Sequence, residues 1–290
     1  MMNDQAARLR ERLKSLKSQA KSVAVMSGKG GVGKSNFSLN FAIALGKAHK
    51  RVLLFDLDIG MGNIDILIGE SSKYSIVDYF EQKIPLTDLI TNDPKTDLDY
   101  ISGGTGLGSI FKINDDQFQR FTAELEYLFK AYDYIIFDMG AGISEESLRF
   151  ILSVDEIIVI TTPEPTAMTD AYAAMKQVSI HDSTIPLTLV INRVYNRKIG
   201  EITFKRLSNT MINFMKREVT YLGTIPDDST IMKAVINQQP FINFQPNCPA
   251  SRAIVNISEE FINKSSMNET VEQSTTPFIT KFKHFFMKGR

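Results

Sequence analysis

Residues 27–35 read SGKGGVGKS. They follow a short apolar, β-branched run, VAVMS (23–27), and precede a helical period carried by Phe37, Phe41, Ala44, Leu45 and Ala48. A glycine cluster between a strand and a helix, closed by Lys-Ser, has the context of a phosphate-binding loop. Its glycines let successive N–H groups turn inward at phosphate oxygens, and the helix N-terminus behind them adds a positive end. Gly28, Lys29, Gly30, Gly31, Val32, Gly33, Lys34, Ser35 and Asn36 are therefore expected to wrap the phosphates of a nucleotide. Lys34 supplies a point charge to the terminal phosphates, and the Ser35 hydroxyl is placed to bind Mg²⁺.

Working outward, five further apolar runs read as strands: RVLLFDLD (51–58), YIIFDMG (134–140), EIIVITTPE (156–164), LTLVINRV (187–194) and YLGTIP (221–226). Helical stretches lie around 117–131, 167–180, 203–217 and 249–263. Strands that are apolar on both faces and alternate with helices predict one α/β domain over 22–264, a mostly parallel sheet covered by helices on both sides. Asp138 ends an apolar strand, the Walker B pattern, and is expected to hold Mg²⁺ through water. Asn192 and Arg193 end another strand, where a nucleotide fold puts ligand contacts. An Asn amide can pair at two points with the edge of adenine. No guanine-reading NKxD sequence occurs there.

Composition sets the outer bounds. The chain has 290 residues, 43% of them hydrophobic, enough for a sizeable core. Lys+Arg and Asp+Glu both number 33, which does not support a globally basic nucleic-acid binder. A single cysteine, Cys248, excludes an intramolecular disulfide, a multi-cysteine zinc site and a four-thiolate cluster within one chain. No apolar run reaches the roughly 18 residues that span a bilayer. The charged N-terminus lacks a signal-peptide apolar region, so the chain is expected in the cytoplasm.

Lys29, a second lysine inside the loop in the form KGGxGK[ST], marks the deviant Walker A motif. The sequence thereby resembles the MinD/ParA (SIMIBI) class of P-loop ATPases. The resemblance implies ATP, ADP and Mg²⁺ as ligands and a nucleotide-sandwich homodimer, in which Lys29 reaches the partner's phosphates. It also implies slow, switch-type hydrolysis. Asp58 in FDLDIGMGN (55–63) is expected to orient or activate the attacking water, while Asp56 supports the strand end. Gly140-Ala141-Gly142 matches the second switch; Met139 departs from it, since that position usually holds a smaller residue. TIPDD (224–228) resembles the second adenine-side loop, which adds Pro226 and Asp227 to the base contacts.

Both ends of the chain carry further signals. Residues 4–18 read as a short helix with Leu9, Leu13 and Leu16 on one face. Residues 265–276, SSMNETVEQSTT, read as a flexible polar linker that uncouples the tail from the domain. In 277–290, Phe278, Ile279, Phe282, Phe285 and Phe286 fall within an arc of about 120°, flanked by Lys281 and Lys283. With no acid in the segment, this predicts an interfacial helix drawn to anionic lipid on the inner face of the cell membrane. Folding the helix back on the domain in the ADP state would be an economical way to hide its five apolar side chains. The zero net charge is segregated: residues 1–21 carry +4, residues 277–290 another +4, and the body between them −8.

DQAARLR (4–10) matches DQAxxLR and resembles the N-terminal activator motif of the FlhG family, also called YlxH or FleN. The order activator, ATPase domain, linker and tail covers essentially the whole chain. The resemblance implies that the N-terminus stimulates the FlhF GTPase, with Gln5 and Arg10 as polar contacts and Leu9 on the docking face. It further implies C-ring partners of the FliM/FliN/FliY type and control of flagellar number or placement. A DNA-partition ATPase and a division-site regulator are the alternatives. An acidic body disfavours the former, and one cysteine disfavours the iron–sulfur branch.

Overall fold

The computed structural model describes residues 19–58, 62–104, 114–268 and 277–287. Gln5, Leu9 and Arg10, Ile59 to Met61 of the first switch, most of the expected linker, and Lys288 and Arg290 lie outside the described residues.

The core strands are β1 (Lys21–Ser27), β2 (Val52–Leu57), β5 (Tyr134–Ala141), β6 (Glu156–Thr161), β7 (Leu187–Val194) and β8 (Thr220–Pro226). With β3 (Thr91–Asp93) and β4 (Leu98–Ile101) they form a sheet in the order β3-β4-β2-β5-β1-β6-β7-β8, parallel except for the β3–β4 pair. Alternate side chains leave a strand on opposite faces. Val23 and Val25 of β1 and Leu54 of β2 accordingly enter one apolar layer, and Ala24, Met26 and Phe55 enter the other. Both faces are dry, which is why the strands read as unbroken apolar runs.

One layer is closed by α1 (Lys34–Lys47) and α10 (Pro249–Asn268). The other is closed by α4 (Asp115–Ala131), α5 (Glu145–Ile151), α6 (Pro165–His181), α7 (Arg197–Met215) and α11 (Phe278–Met287). Short helices α2 (Asn63–Ile68) and α3 (Ile76–Gln82) lie between β2 and β3, and α8 (Ser229–Ile236) and α9 (Phe241–Phe244) follow β8.

Two expectations need correction. The last domain helix does not stop at 264: α10 runs to Asn268, and Ser265 is buried, its hydroxyl donating to the Phe261 carbonyl at 2.9 Å and accepting from Lys21 at 2.9 Å. The polar tract therefore begins with helix rather than linker. The tail is not uncoupled from the domain either. Phe278, Ile279, Phe282 and Phe286 are buried in the core, and Phe285 packs partly against it. Phe278 stacks on Phe129 and Phe286 on Phe118, with ring centroids 5.0 and 4.1 Å apart. An aromatic stripe matches a groove between α4 and α5 as well as it matches lipid. Lys281 lies 3.9 Å from Asp155, and Lys283 stays half-buried at the rim.

Candidate nucleotide site

The sheet order changes direction around β1, and the crevice beyond the strand ends at such a point is where α/β folds take ligands. The phosphate loop occupies it, and two of its glycines are irreplaceable. A Cβ on Gly28 would lie 2.1 Å from the backbone of Asp170 in α6. Gly33 has φ +91°, and a Cβ there would meet the Asn192 amide at 2.4 Å. The loop is thus clamped between α6 and the end of β7.

Lys34 is the hub. It is buried, and its ammonium lies 2.9 Å from Asp138 Oδ1, 3.2 Å from the Ser35 hydroxyl and 3.7 Å from Asp58 Oδ2. Ser38 also donates to Asp138 Oδ1, at 2.8 Å. The other oxygen, Asp138 Oδ2, is buried with no hydrogen-bond partner among the described residues. A buried carboxylate oxygen without a donor, on a residue that shares the Lys34 ammonium with Ser35, suits a hydrated divalent cation. Among the described residues no three His, Cys, Asp or Glu side chains cluster to hold a metal alone.

The register of β2 on β5 sets Asp56 beside Asp138. Burial first, and then the Asp138 charge, push the Asp56 carboxyl up to about 7. It accepts from the N–H groups of Asp58 at 2.9 Å and Ile64 at 3.4 Å, and so ties the end of β2 to the first turn of α2. Asp58 is itself raised above the usual carboxylate range by burial, with Lys34 opposing, and its Oδ2 accepts from Asn63 at 3.0 Å. A raised carboxyl is a stronger base toward water. The loop after β5 closes the site: Gly142 donates to the Ser27 carbonyl at 3.1 Å, and Gly140 lies against Asp58.

Lys29 is half-exposed and rests on its own chain, 3.2 Å from the Thr166 hydroxyl and 3.7 Å from Glu164. With Gly30, Gly31, Val32, Thr162 and Arg193 it lines a pocket of about 190 Å³. A second cleft of about 960 Å³ opens beside it, lined by Gly33, Asn36, Asn192, Arg193, Asp227 and Met232 among others. Pro226 ends β8 and is not among the cleft's lining residues. Asn192 is already engaged: its Nδ2 donates to the Val32 carbonyl at 2.8 Å, and its Oδ1 accepts from the Arg193 N–H at 2.9 Å. A two-point contact to adenine requires exchanging those bonds. Arg193 takes φ +54°, a conformation that L side chains seldom adopt.

Sequence reasoning missed Thr162, Tyr195 and Met232. The Thr162 hydroxyl is buried with no hydrogen-bond partner among the described residues, and the residue lines both pockets. Its signal was present, a polar residue ending the apolar run of β6. Tyr195 and Met232 are large, exposed and face the cleft, a position no motif marks.

The ParA family model, described as NUBPL iron-transfer P-loop NTPase, matches residues 18–262. The chain belongs to the ParA/MinD family of P-loop NTPases. It is 33% identical over 284 residues to the flagellum site-determining protein YlxH of Helicobacter pylori, covering 91% of this chain and 92% of that one. It is 29% identical to the antiactivator FleN of Pseudomonas aeruginosa, covering 82% and 85%. A MinC:MinD cell division complex from Aquifex aeolicus contains a chain with a TM-score of 0.66 and 25% identity, covering 84% of this chain and 96% of that one. The protein is therefore an ATP-binding ATPase, with the SIMIBI-type sheet of its class and the branch of YlxH and FleN as its relatives. Among the described residues, no helix is long and apolar enough to cross a membrane.

Proposed function

We propose that the protein is an ATP-switched regulator that dimerises on ATP, binds the cell membrane through α11, and returns to a monomer after hydrolysis. The observation that carries this reading is the seating of α11, an amphipathic helix with no acid, whose aromatic face is hidden against the body. A single short helix of this kind binds lipid weakly, but two copies on one dimer raise the effective concentration. Lys29, paired among the described residues with the exposed Thr166 and Glu164, can cross to a partner's triphosphate. Lys34 and the loop amides hold the phosphates. Ser35 and Asp138 would hold Mg²⁺, which would neutralise charge on the phosphates. Asp58 aligns the water. Asn192, Arg193 and Asp227 face the base cleft, with Pro226 behind them.

Similarity to YlxH and FleN supports a role in flagellar number or placement. In that role residues 4–10 act on the FlhF GTPase through Gln5, Leu9 and Arg10, and the domain meets C-ring proteins of the FliM/FliN/FliY type. Flotation with anionic vesicles tests the switch. Capture is expected with a non-hydrolysable ATP analogue and not with ADP, and Asp58→Ala is expected to stay captured in ATP itself. A protein that floats equally in both nucleotides, or in neither, refutes the cycle. A peptide of residues 1–20 added to FlhF should raise GTP turnover; no stimulation removes the FlhF role and leaves the ATPase.

A further inference from the structure

The tail and the nucleotide site share one strand. β5 turns Asp138 toward Lys34 on one face and Phe137 toward the tail on the other, with the Phe137 and Phe278 rings 5.5 Å apart. The loop after β5, tied to the phosphate loop through Gly142, runs straight into α5. There Phe150 packs 4.7 Å from Phe137, 5.3 Å from Phe278 and 5.0 Å from Phe282, centroid to centroid. The segment that must approach a γ-phosphate is thus continuous with the helix on which the tail rests. Close-packed elements of this kind switch between discrete arrangements rather than deforming smoothly.

We propose that Phe150 is a positioning residue that couples the two sites: with the tail seated, it holds the 140–144 loop away from a γ-phosphate, so tail release raises ATP affinity within a single chain. The coupling is reciprocal, because a ligand that favours the moved loop must also weaken the seat of the tail. ADP offers no γ-phosphate and is indifferent. This rests on the reading that α11 leaves the body for lipid, but it adds a step before dimerisation: an anionic membrane itself primes the monomer for ATP.

The test uses the full chain on an excess of anionic phospholipid nanodiscs, so that each disc carries at most one copy, with zwitterionic discs as control. Binding of a fluorescent non-hydrolysable ATP analogue and of fluorescent ADP is measured. The analogue is expected to bind at least about fivefold more tightly on anionic discs, within the usual range of site coupling, with ADP unchanged. Phe150→Leu is expected to give the tighter ATP-analogue binding without lipid and to lose the lipid response. Phe278→Leu, on the tail side of the same contact, gives the same result should Phe150→Leu not fold. An unchanged ratio of ATP-analogue to ADP affinity on discs that do capture the protein overturns the coupling and leaves membrane binding standing. Failure of these single-copy discs to capture the protein overturns the priming step and leaves the dimer-dependent membrane cycle, which the vesicle flotation tests separately.

Discussion

Helices α10 and α11 cover opposite faces of the same sheet and are held there by different forces. α10 is wired in by directional bonds. The Ser251 hydroxyl is within 3.0 Å of the Phe241 carbonyl and 2.9 Å of the Gln245 carbonyl, Lys264 donates to the Tyr221 carbonyl at 2.9 Å, and Lys21 donates to Ser265. Its Phe261 ring lies 5.3 Å from Phe41 and 5.7 Å from Tyr134. α11 rests on aromatic contacts, and among the described residues its polar tie to the body is the 3.9 Å approach of Lys281 to Asp155. Hydrocarbon can replace ring contacts at little cost, since lipid tails are as apolar as a protein core. It cannot replace a hydrogen bond to a buried carbonyl. The two helices differ in their bonds rather than in their burial.

The largest expected effect sets the two against each other directly. Phe261→Ala should cost about 3–5 kcal/mol of global stability in urea unfolding, because a wired helix cannot move away from the cavity. Phe282→Ala should cost less, because α11 can undock, and its loss is capped by the free energy of docking. Equal losses would break the comparison. Ser251→Ala should cost about 0.5–1.5 kcal/mol, since it removes one O–H donor from carbonyls that keep a backbone partner; a change in thermal midpoint too small to measure would mean that this hydroxyl contributes nothing to holding α10. Lys281→Ala should change stability by no more than about 1 kcal/mol, a pair 3.9 Å apart being weak. A larger loss would show that α11 is latched by charge and would move it toward the α10 kind.

The polar end of the molecule was legible and the apolar end was not, for a physical reason. Phosphate chemistry demands glycine, lysine and serine at fixed spacing, so residues 27–35 and Asp138 announced their neighbourhood, and the structure brings Lys34, Ser35, Asp58 and Asp138 together. The six long strands were visible because burial on both faces leaves unbroken apolar runs. The short β3, β4, α2 and α3 between residues 63 and 101 were missed: each is too brief to show a period, and tertiary contact rather than pattern defines it. The Asn192 amide, expected at the base, also donates to the Val32 carbonyl, a contact set by the close passage of the loop that no motif marks. The seat of α11 escaped because an aromatic stripe satisfies a groove and a bilayer by the same hydrophobic logic.

Five phenylalanines of the body, Phe118, Phe121, Phe129, Phe137 and Phe150, form the bed on which α11 lies. Stripped of that cover, they would face water as a contiguous sticky patch, a liability for a protein at cellular concentrations. Bed and tail should therefore be inherited as a pair. A relative that has lost its amphipathic ending is expected to show polar substitutions at the positions of these five rings, or a different segment lying across them. Those positions, read in an alignment of relatives, would report whether an ancestor visited membranes even where the tail itself has gone.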